Sequence, residues 1–252
     1  MIPTQDQARA QALRGGQSDT LVLERIPERQ RATATAEGAT TIARTQTGAA
    51  TKKRWGLAID LKRCIGCQSC TMSCKAENGT PPGIFWTRVI EKEEGKYPFA
   101  YKVFMPLRCN HCSDPPCVPV CPTGATYVRE QDNLVLVDQD KCVGCHSCVV
   151  SCPYQARSMA ESARGYYGEQ KTPYEVVAYK NLQPRTAQKC TLCVDRIDQG
   201  LRPACVETCP PQALIFGDLN DPNSPASQEI AKRPNFQPHV ELGTDPNVYY
   251  LT

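Results

Sequence analysis

The chain has 252 residues, 40% of them apolar, enough for one or two domains. It has no apolar run near the roughly 18 residues that cross a bilayer. Lys and Arg total 29 against 26 Asp and Glu, a formal charge of +3. No basic stretch interleaved with aromatics argues for nucleic acid, so none is expected as a partner.

Residues 1–53 contain no Cys, Phe, Tyr or Trp and are rich in Ala, Thr, Gln and Arg. Such a segment buries too little area to fold alone and reads as an extended or disordered tail. It shows neither the apolar stretch of a secretory signal nor a twin-arginine motif. Leu21-Val-Leu-Glu-Arg-Ile26 is its apolar patch, a candidate docking segment. The ordered domain is expected over residues 54–252.

Trp55-Gly-Leu-Ala-Ile-Asp60 reads as a short strand feeding the first cysteine group, Cys64, Cys67, Cys70 and Cys74. Its spacing is C-x2-C-x2-C-x3-C, with which bacterial ferredoxins hold an iron–sulfur cubane. Three thiolates on one tight loop reach three corners of a cube, and the fourth points at a neighbouring cube. Gly66 lets the backbone approach without a Cβ clash. A helical turn is predicted after Cys74, stopped by Thr80-Pro-Pro-Gly83. A hairpin is predicted over Ile84–Met105, with Phe85–Ile90 and Tyr101–Met105 flanking a charged turn at Glu93–Lys96.

The second group is Cys109, Cys112, Cys117 and Cys121. Ala125–Arg129 and Leu134–Asp138, around a turn at Gln131–Asn133, predict a hairpin into the third group. That group, Cys142, Cys145, Cys148 and Cys152, is spaced as the first. The fourth is Cys190, Cys193, Cys205 and Cys209, followed by a strand-like Ala213-Leu-Ile-Phe216. Zinc explains C-x2-C pairs but not a triplet with a fourth Cys three residues on. A disulfide framework belongs to short secreted chains. The sixteen cysteines leave none over and match four [4Fe-4S] clusters. Four oxidised clusters with their thiolates add about −8 to the charge, so the loaded chain is acidic.

The groups repeat. Residues 59–74 and 137–152 align without gaps and share eight of sixteen positions, and Cys117-Val-Pro-Val-Cys-Pro122 matches Cys205-Val-Glu-Thr-Cys-Pro210. Groups two and three, with their hairpin, form a two-cluster ferredoxin in one piece. Groups one and four form a second if the chain ends meet. The expected fold is therefore α+β: two bacterial-ferredoxin-like dicluster modules with loop-rich extensions. The module of groups two and three, at about residues 105–155, is inserted in that of groups one and four. The rival pairs one with two and three with four, and the Ile84–Met105 segment leaves it open.

Lys62, Arg63, Lys75, Arg108, Lys141, Arg157, Lys189 and Arg196 flank the ligands. They are candidates to offset cluster charge and raise potentials, against the alternative of ordinary solvated charge. His111 and His146 lie inside cysteine loops and are expected beside the clusters or in solvent, not as ligands. No nucleophile–base pair, phosphate loop or flavin fingerprint is evident. The expected function is electron conduction, with no catalysis by the chain alone.

The order and spacing of the four groups resemble the iron–sulfur (beta) subunits of the dimethyl sulfoxide reductase family of molybdenum oxidoreductases. Pro81-Pro-Gly-Ile-Phe-Trp86, Cys109-Asn-His-Cys-Ser-Asp-Pro-Pro-Cys117, Asp195-Arg-Ile-Asp-Gln-Gly200 and Phe216-Gly-Asp-Leu-Asn-Asp-Pro222 look like its polysulfide, thiosulfate, tetrathionate and sulfite-oxidising branch. The resemblance covers residues 54–252, and the first 53 depart from it. It implies a relay between a molybdopterin-containing catalytic subunit and a quinone-handling integral membrane subunit, in sulfur-compound respiration. The chain would be peripheral, held at the membrane through a partner on its cytoplasmic or periplasmic face. The resemblance also implies a ligand map. Cys64, Cys67, Cys70 and Cys209 hold the cluster nearest the catalytic subunit, and Cys74, Cys190, Cys193 and Cys205 the next. Cys109, Cys112, Cys117 and Cys152 hold the third, and Cys121, Cys142, Cys145 and Cys148 the one nearest the membrane subunit. The alternatives are a free polyferredoxin, an electron-transfer partner of a hydrogenase-type complex, or a zinc-stabilised interaction module.

Overall fold

The computed structural model describes residues 52–180 and 182–252. The expected N-terminal tail lies, but for residues 52 and 53, outside them. In chain order the elements are β1 (Trp55–Asp60), α1 (Ser69–Asn78), β2 (Thr87–Glu94), β3 (Tyr101–Arg108), β4 (Thr126–Val128), β5 (Val135–Val137), α2 (Ser147–Val150), β6 (Ser158–Ala160) and α3 (Pro173–Ala178). There follow β7 (Thr186–Gln188), α4 (Val194–Asp198), α5 (Ala204–Glu207), β8 (Leu214–Asp218), α6 (Pro225–Lys232), β9 (Asn235–Phe236), a 3-10 turn (Val240–Leu242) and β10 (Val248–Leu251).

β1 is an unbroken apolar run in which Leu57, Ala58 and Ile59 are fully buried, so it sits inside a sheet rather than at its edge. The strand order is β8-β1-β10-β9. β8 runs antiparallel to β1, from Trp55 opposite Asp218 to Ile59 opposite Leu214. β10 runs parallel to it, from Leu57 opposite Val248 to Asp60 opposite Leu251. Trp55 stacks on Phe216 with ring centroids 4.9 Å apart. Helix α6 covers the sheet through Ala226 and Ile230, which pack with Ala58, Ile215 and Leu251. Its start is fixed by Ser224, whose side chain accepts from Ser227 N, and by Pro225 in the first turn. The strand entering cysteine group one is thus bonded to the strand leaving group four.

β4 and β5 form the predicted hairpin, Thr126 opposite Val137 through Val128 opposite Val135, slightly shorter at each end than the apolar run suggests. Val135 packs with Cys117, Cys148 and Ala187. The hairpin of β2 and β3 is present with shifted bounds: Thr87 pairs with Arg108 and Glu94 with Tyr101. The turn occupies residues 95–100, not Glu93–Lys96, because Gly95, at φ +86°, is the first residue free to leave the strand. Phe85 and Trp86 precede the strand. The helix expected after Cys74 instead starts at Ser69 and ends at Gly79, whose left-handed φ of +56° caps it. The three-residue pairing of β6 with β7, Ser158 opposite Gln188, is too short to leave a periodic signal.

Candidate metal centres

The loops of groups one and three bend alike. Gly66 and Gly144 both have φ +68°, and Gln68 and His146 follow at +60° and +63° as the residues before α1 and α2. A Cβ on Gly66 would lie 2.4 Å from the Phe104 ring, and one on Gly144 2.4 Å from the Arg185 carbonyl oxygen. Only glycine satisfies both the turn and the approach. The reversal brings three thiols of each group to one side of the loop and turns backbone N–H groups inward, as anion-binding nests do.

All sixteen cysteines are free, and the fold brings them together in four sets. Cys64, Cys67, Cys70 and Cys209 line one hollow with Val89 and Pro106. Cys121, Cys142, Cys145 and Cys148 line another with Met159 and Ala187. Cys74 is buried, and burial, then the nearby Cys205 and Cys193, push its thiol up to about 12. Cys190 is raised by burial and then by Cys74 and Cys205. Asn78 Nδ2 lies 3.6 Å from Cys74 Sγ and 3.9 Å from Cys193 Sγ, spanning that set. In the fourth set burial, then Cys109, Cys152 and Cys117, push Cys112 up to about 12. Neighbouring sets also meet: Cys205 acts on Cys70, and Cys109 on Cys190.

These sets fit the implied clusters. Crowded, buried thiols ionise only if something positive draws off their protons, which a metal core does. Among the described residues no three Cys, His, Asp or Glu side chains converge on a point that one metal ion could occupy. Donors await thiolate charge. Thr126 N lies 3.4 Å from Cys121 Sγ, Ala213 N 3.3 Å from Cys209 Sγ, Ala187 N 3.4 Å from Cys142 Sγ and Leu192 N 3.4 Å from Cys190 Sγ. Burial raises Cys121, but the Thr126 N–H and the Thr123 hydroxyl outweigh it and bring the thiol down to about 7. Arg108 Nε and Nη2 are buried without a protein acceptor, beside the thiols of Cys205, Cys70 and Cys190.

The eight flanking cations divide. Lys62, Arg63 and Lys141 are exposed. Lys75 Nζ donates to Thr80 O, Thr80 Oγ1, Pro81 O and Ile84 O at 2.9–3.2 Å, so it ties down the 80–84 loop. Arg196 pairs with Glu77 at 3.3 Å. Arg108, Arg157 and Lys189 are buried against the thiols. His146 is exposed, whereas His111 is 2% exposed, and its Nδ1 accepts from Val135 N at 3.2 Å. Burial, then Lys189, holds its pKa well below the usual imidazole range, so it stays neutral. Asn247 escaped the sequence reading. Fully buried, it donates to His111 O at 2.6 Å and accepts from Arg54 Nε at 2.6 Å, tying the last strand to group two. A lone Asn carries no spacing signal.

Two family descriptions match, each a 4Fe-4S dicluster domain: one covers residues 100–167 and again 163–219, the other residues 63–125. The sequence is 44% identical over 207 residues to the B subunit of tetrathionate reductase from Salmonella typhimurium, covering 79% of this protein and 73% of that one. It is 42% identical over 215 residues to the B subunit of selenate reductase from Mesobacillus selenatarsenatis, covering 79% and 72%. It is 37% identical over 202 residues to the B polypeptide of polysulfide reductase from Wolinella succinogenes, covering 79% and 94%.

Proposed function

This protein belongs to the iron–sulfur B subunits of molybdenum oxidoreductases, and on that premise we propose that it relays electrons between a molybdopterin catalytic subunit and a quinone-handling membrane subunit in sulfur-compound respiration. Once bound, its four [4Fe-4S] clusters supply one-electron chemistry. The chain supplies thiolates, N–H donors and burial, the levers that set cluster potentials. The reading is carried by the four thiol sets lying in succession, each next to another: Cys209's set meets that of Cys205 through Cys70, that set meets Cys152's through Cys190 and Cys109, and Cys152's meets Cys121's where Cys117 packs with Cys148.

The ligand sets are Cys64, Cys67, Cys70 and Cys209; Cys74, Cys190, Cys193 and Cys205; Cys109, Cys112, Cys117 and Cys152; and Cys121, Cys142, Cys145 and Cys148. The bonding of β1 to β8, with β4 and β5 closing their own hairpin, supports a module of groups two and three inserted in one of groups one and four. No helix of the described residues is long and apolar enough to cross a membrane.

Iron and acid-labile sulfide should each approach about sixteen per chain. Zinc at two or more per chain with little iron would sink the reading. Co-purification with a large molybdopterin chain supports the obligate relay, and elution as a loaded monomer the free carrier.

Residues 1–53 carry no cluster ligand in this reading. Deleting residues 1–50 should leave iron intact, since no ligand precedes Cys64, and should weaken assembly, since Leu21–Ile26 is the tail's apolar patch. Iron content and retention of partner subunits on a sizing column check both. Lost iron would place the tail inside the cluster domain.

A further inference from the structure

Two of the three buried cations end on sulfur. Arg108 Nη1 donates to Cys205 Sγ at 3.0 Å, and Arg157 Nη2 to Cys117 Sγ at 3.0 Å. The arginines are 3% and 5% exposed. The third cation, Lys189, gives its Nζ to the Cys190 carbonyl at 2.8 Å instead.

Cys205 and Cys117 occupy the same place in the internal repeat, four residues before Cys209 and Cys121. The arginines do not. Arg157 follows Cys152 by five residues, and the corresponding residue after Cys74 is Gly79. Arg108 comes from the end of β3, directly before Cys109. One contact is therefore reached from two unrelated places in the chain. The two outer thiol sets have neutral partners instead: N–H groups donate to Cys121, Cys142 and Cys209, and the Cys67 and Cys145 thiols donate to the hydroxyl oxygens of Ser69 and Ser147.

A guanidinium is always charged, and in a buried site its field is little screened. It favours whichever state of its neighbour is more negative, and a charge-assisted bond to sulfur is stronger than a neutral one. We propose that Arg108 and Arg157 are potential-setting residues, each raising the reduction potential of the inner cluster whose ligand, Cys205 or Cys117, it touches. One electron enters from the neighbouring cluster and leaves for the next. No bond breaks and no proton moves. The inference rests on the assignment of Cys205 and Cys117 as cluster ligands, which the iron content of the unsubstituted chain tests by itself.

The test is EPR-monitored redox titration of the full chain, loaded and purified without oxygen, with Arg108→Gln, Arg108→Lys, Arg157→Gln and Arg157→Lys beside the unsubstituted protein. Each glutamine variant should shift one inner midpoint downward most, a different one for each position, with a smaller fall in the adjoining outer cluster, because Arg108 also lies near Cys70 and Arg157 near Cys148. The lysine variants, which keep the charge, should hold the original midpoints. Glutamine variants with full iron and unmoved midpoints would overturn the proposal. Should a glutamine variant come out short of iron, its lysine counterpart decides: a held midpoint supports the role of charge, and a fall despite the retained charge overturns it. Loss of iron in both forms makes that arginine a folding element and overturns the proposal at that position.

Discussion

Cys209→Ser is expected to remove about four of the sixteen irons and to abolish or reshape the EPR signal of the cluster on Cys64, Cys67 and Cys70. Cys209 is far from those residues in sequence, and the sheet closes the distance. The register of β1 on β8 sets Leu214 opposite Ile59, and Ala213 N then holds Cys209 Sγ at 3.3 Å, facing the hollow that Cys64, Cys67 and Cys70 line. A hydroxyl is a harder and poorer ligand for an iron–sulfur core than a thiolate. Cys152→Ser should act in the same way on the cluster of Cys109, Cys112 and Cys117, whose thiols crowd Cys112 with its own. If Cys209→Ser perturbs that cluster instead, the pairing of groups one and four is wrong.

Asp60→Ala should lower the apparent melting point of the loaded chain by roughly 5–10 °C at neutral pH, from a loss of ~2–4 kcal/mol. The Asp60 side chain is 1% exposed. Its Oδ1 accepts from Lys62 N at 3.0 Å, Arg63 N at 3.2 Å and Arg233 Nη2 at 3.1 Å, and Oδ2 accepts from Arg233 Nη1. One carboxylate so fixes the entry to the first cysteine loop and the end of α6. Burial alone would raise its pKa, but the Arg233 guanidinium and the Arg63 N–H outweigh it and hold it below the usual value. A depressed folded pKa means that the contribution is complete above the ordinary Asp range, about 3.9, and is lost as pH falls through the folded value. The gap between wild type and variant should therefore narrow below about pH 4. Thermal loss of visible cluster absorption, scanned at one fixed rate across pH, measures it. Equal melting of the two proteins at pH 7 would show that Arg233 and the loop hold without the carboxylate.

Cysteine spacing is legible because ligation chemistry dictates it: a triplet two apart with a fourth after three has few other uses. β1 was legible because burial on both faces forces an apolar run. The onset of α1 was not, since Gln68 in a left-handed conformation starts it with no side-chain cap to read. The turn after β2 was misplaced because a charged stretch, Glu91-Lys-Glu-Glu94, looks like a turn yet pairs across the hairpin with Tyr101–Phe104. The cations were the least legible. Sequence proximity to a cysteine treats Arg63 and Arg108 alike, and only burial separates a solvated charge from one aimed at sulfur.

The sheet order also sets a timetable for making the protein. β1 leaves the ribosome before its antiparallel neighbour, β8, and its parallel neighbour, β10, which follow only after all four cysteine groups. Until then Cys64, Cys67 and Cys70 wait on an unpaired strand, with Cys209 not yet translated. Cys109 to Cys152, by contrast, lie within one stretch whose hairpin closes on itself as soon as Val137 emerges. Because chains order from the N-terminal side during synthesis as soon as partners are present, the middle of this protein can receive its iron before either end does. On the proposed ligand sets, a chain arrested short of Cys190 would hold two complete thiol sets, while Cys64, Cys67, Cys70 and Cys74 would still lack their partners.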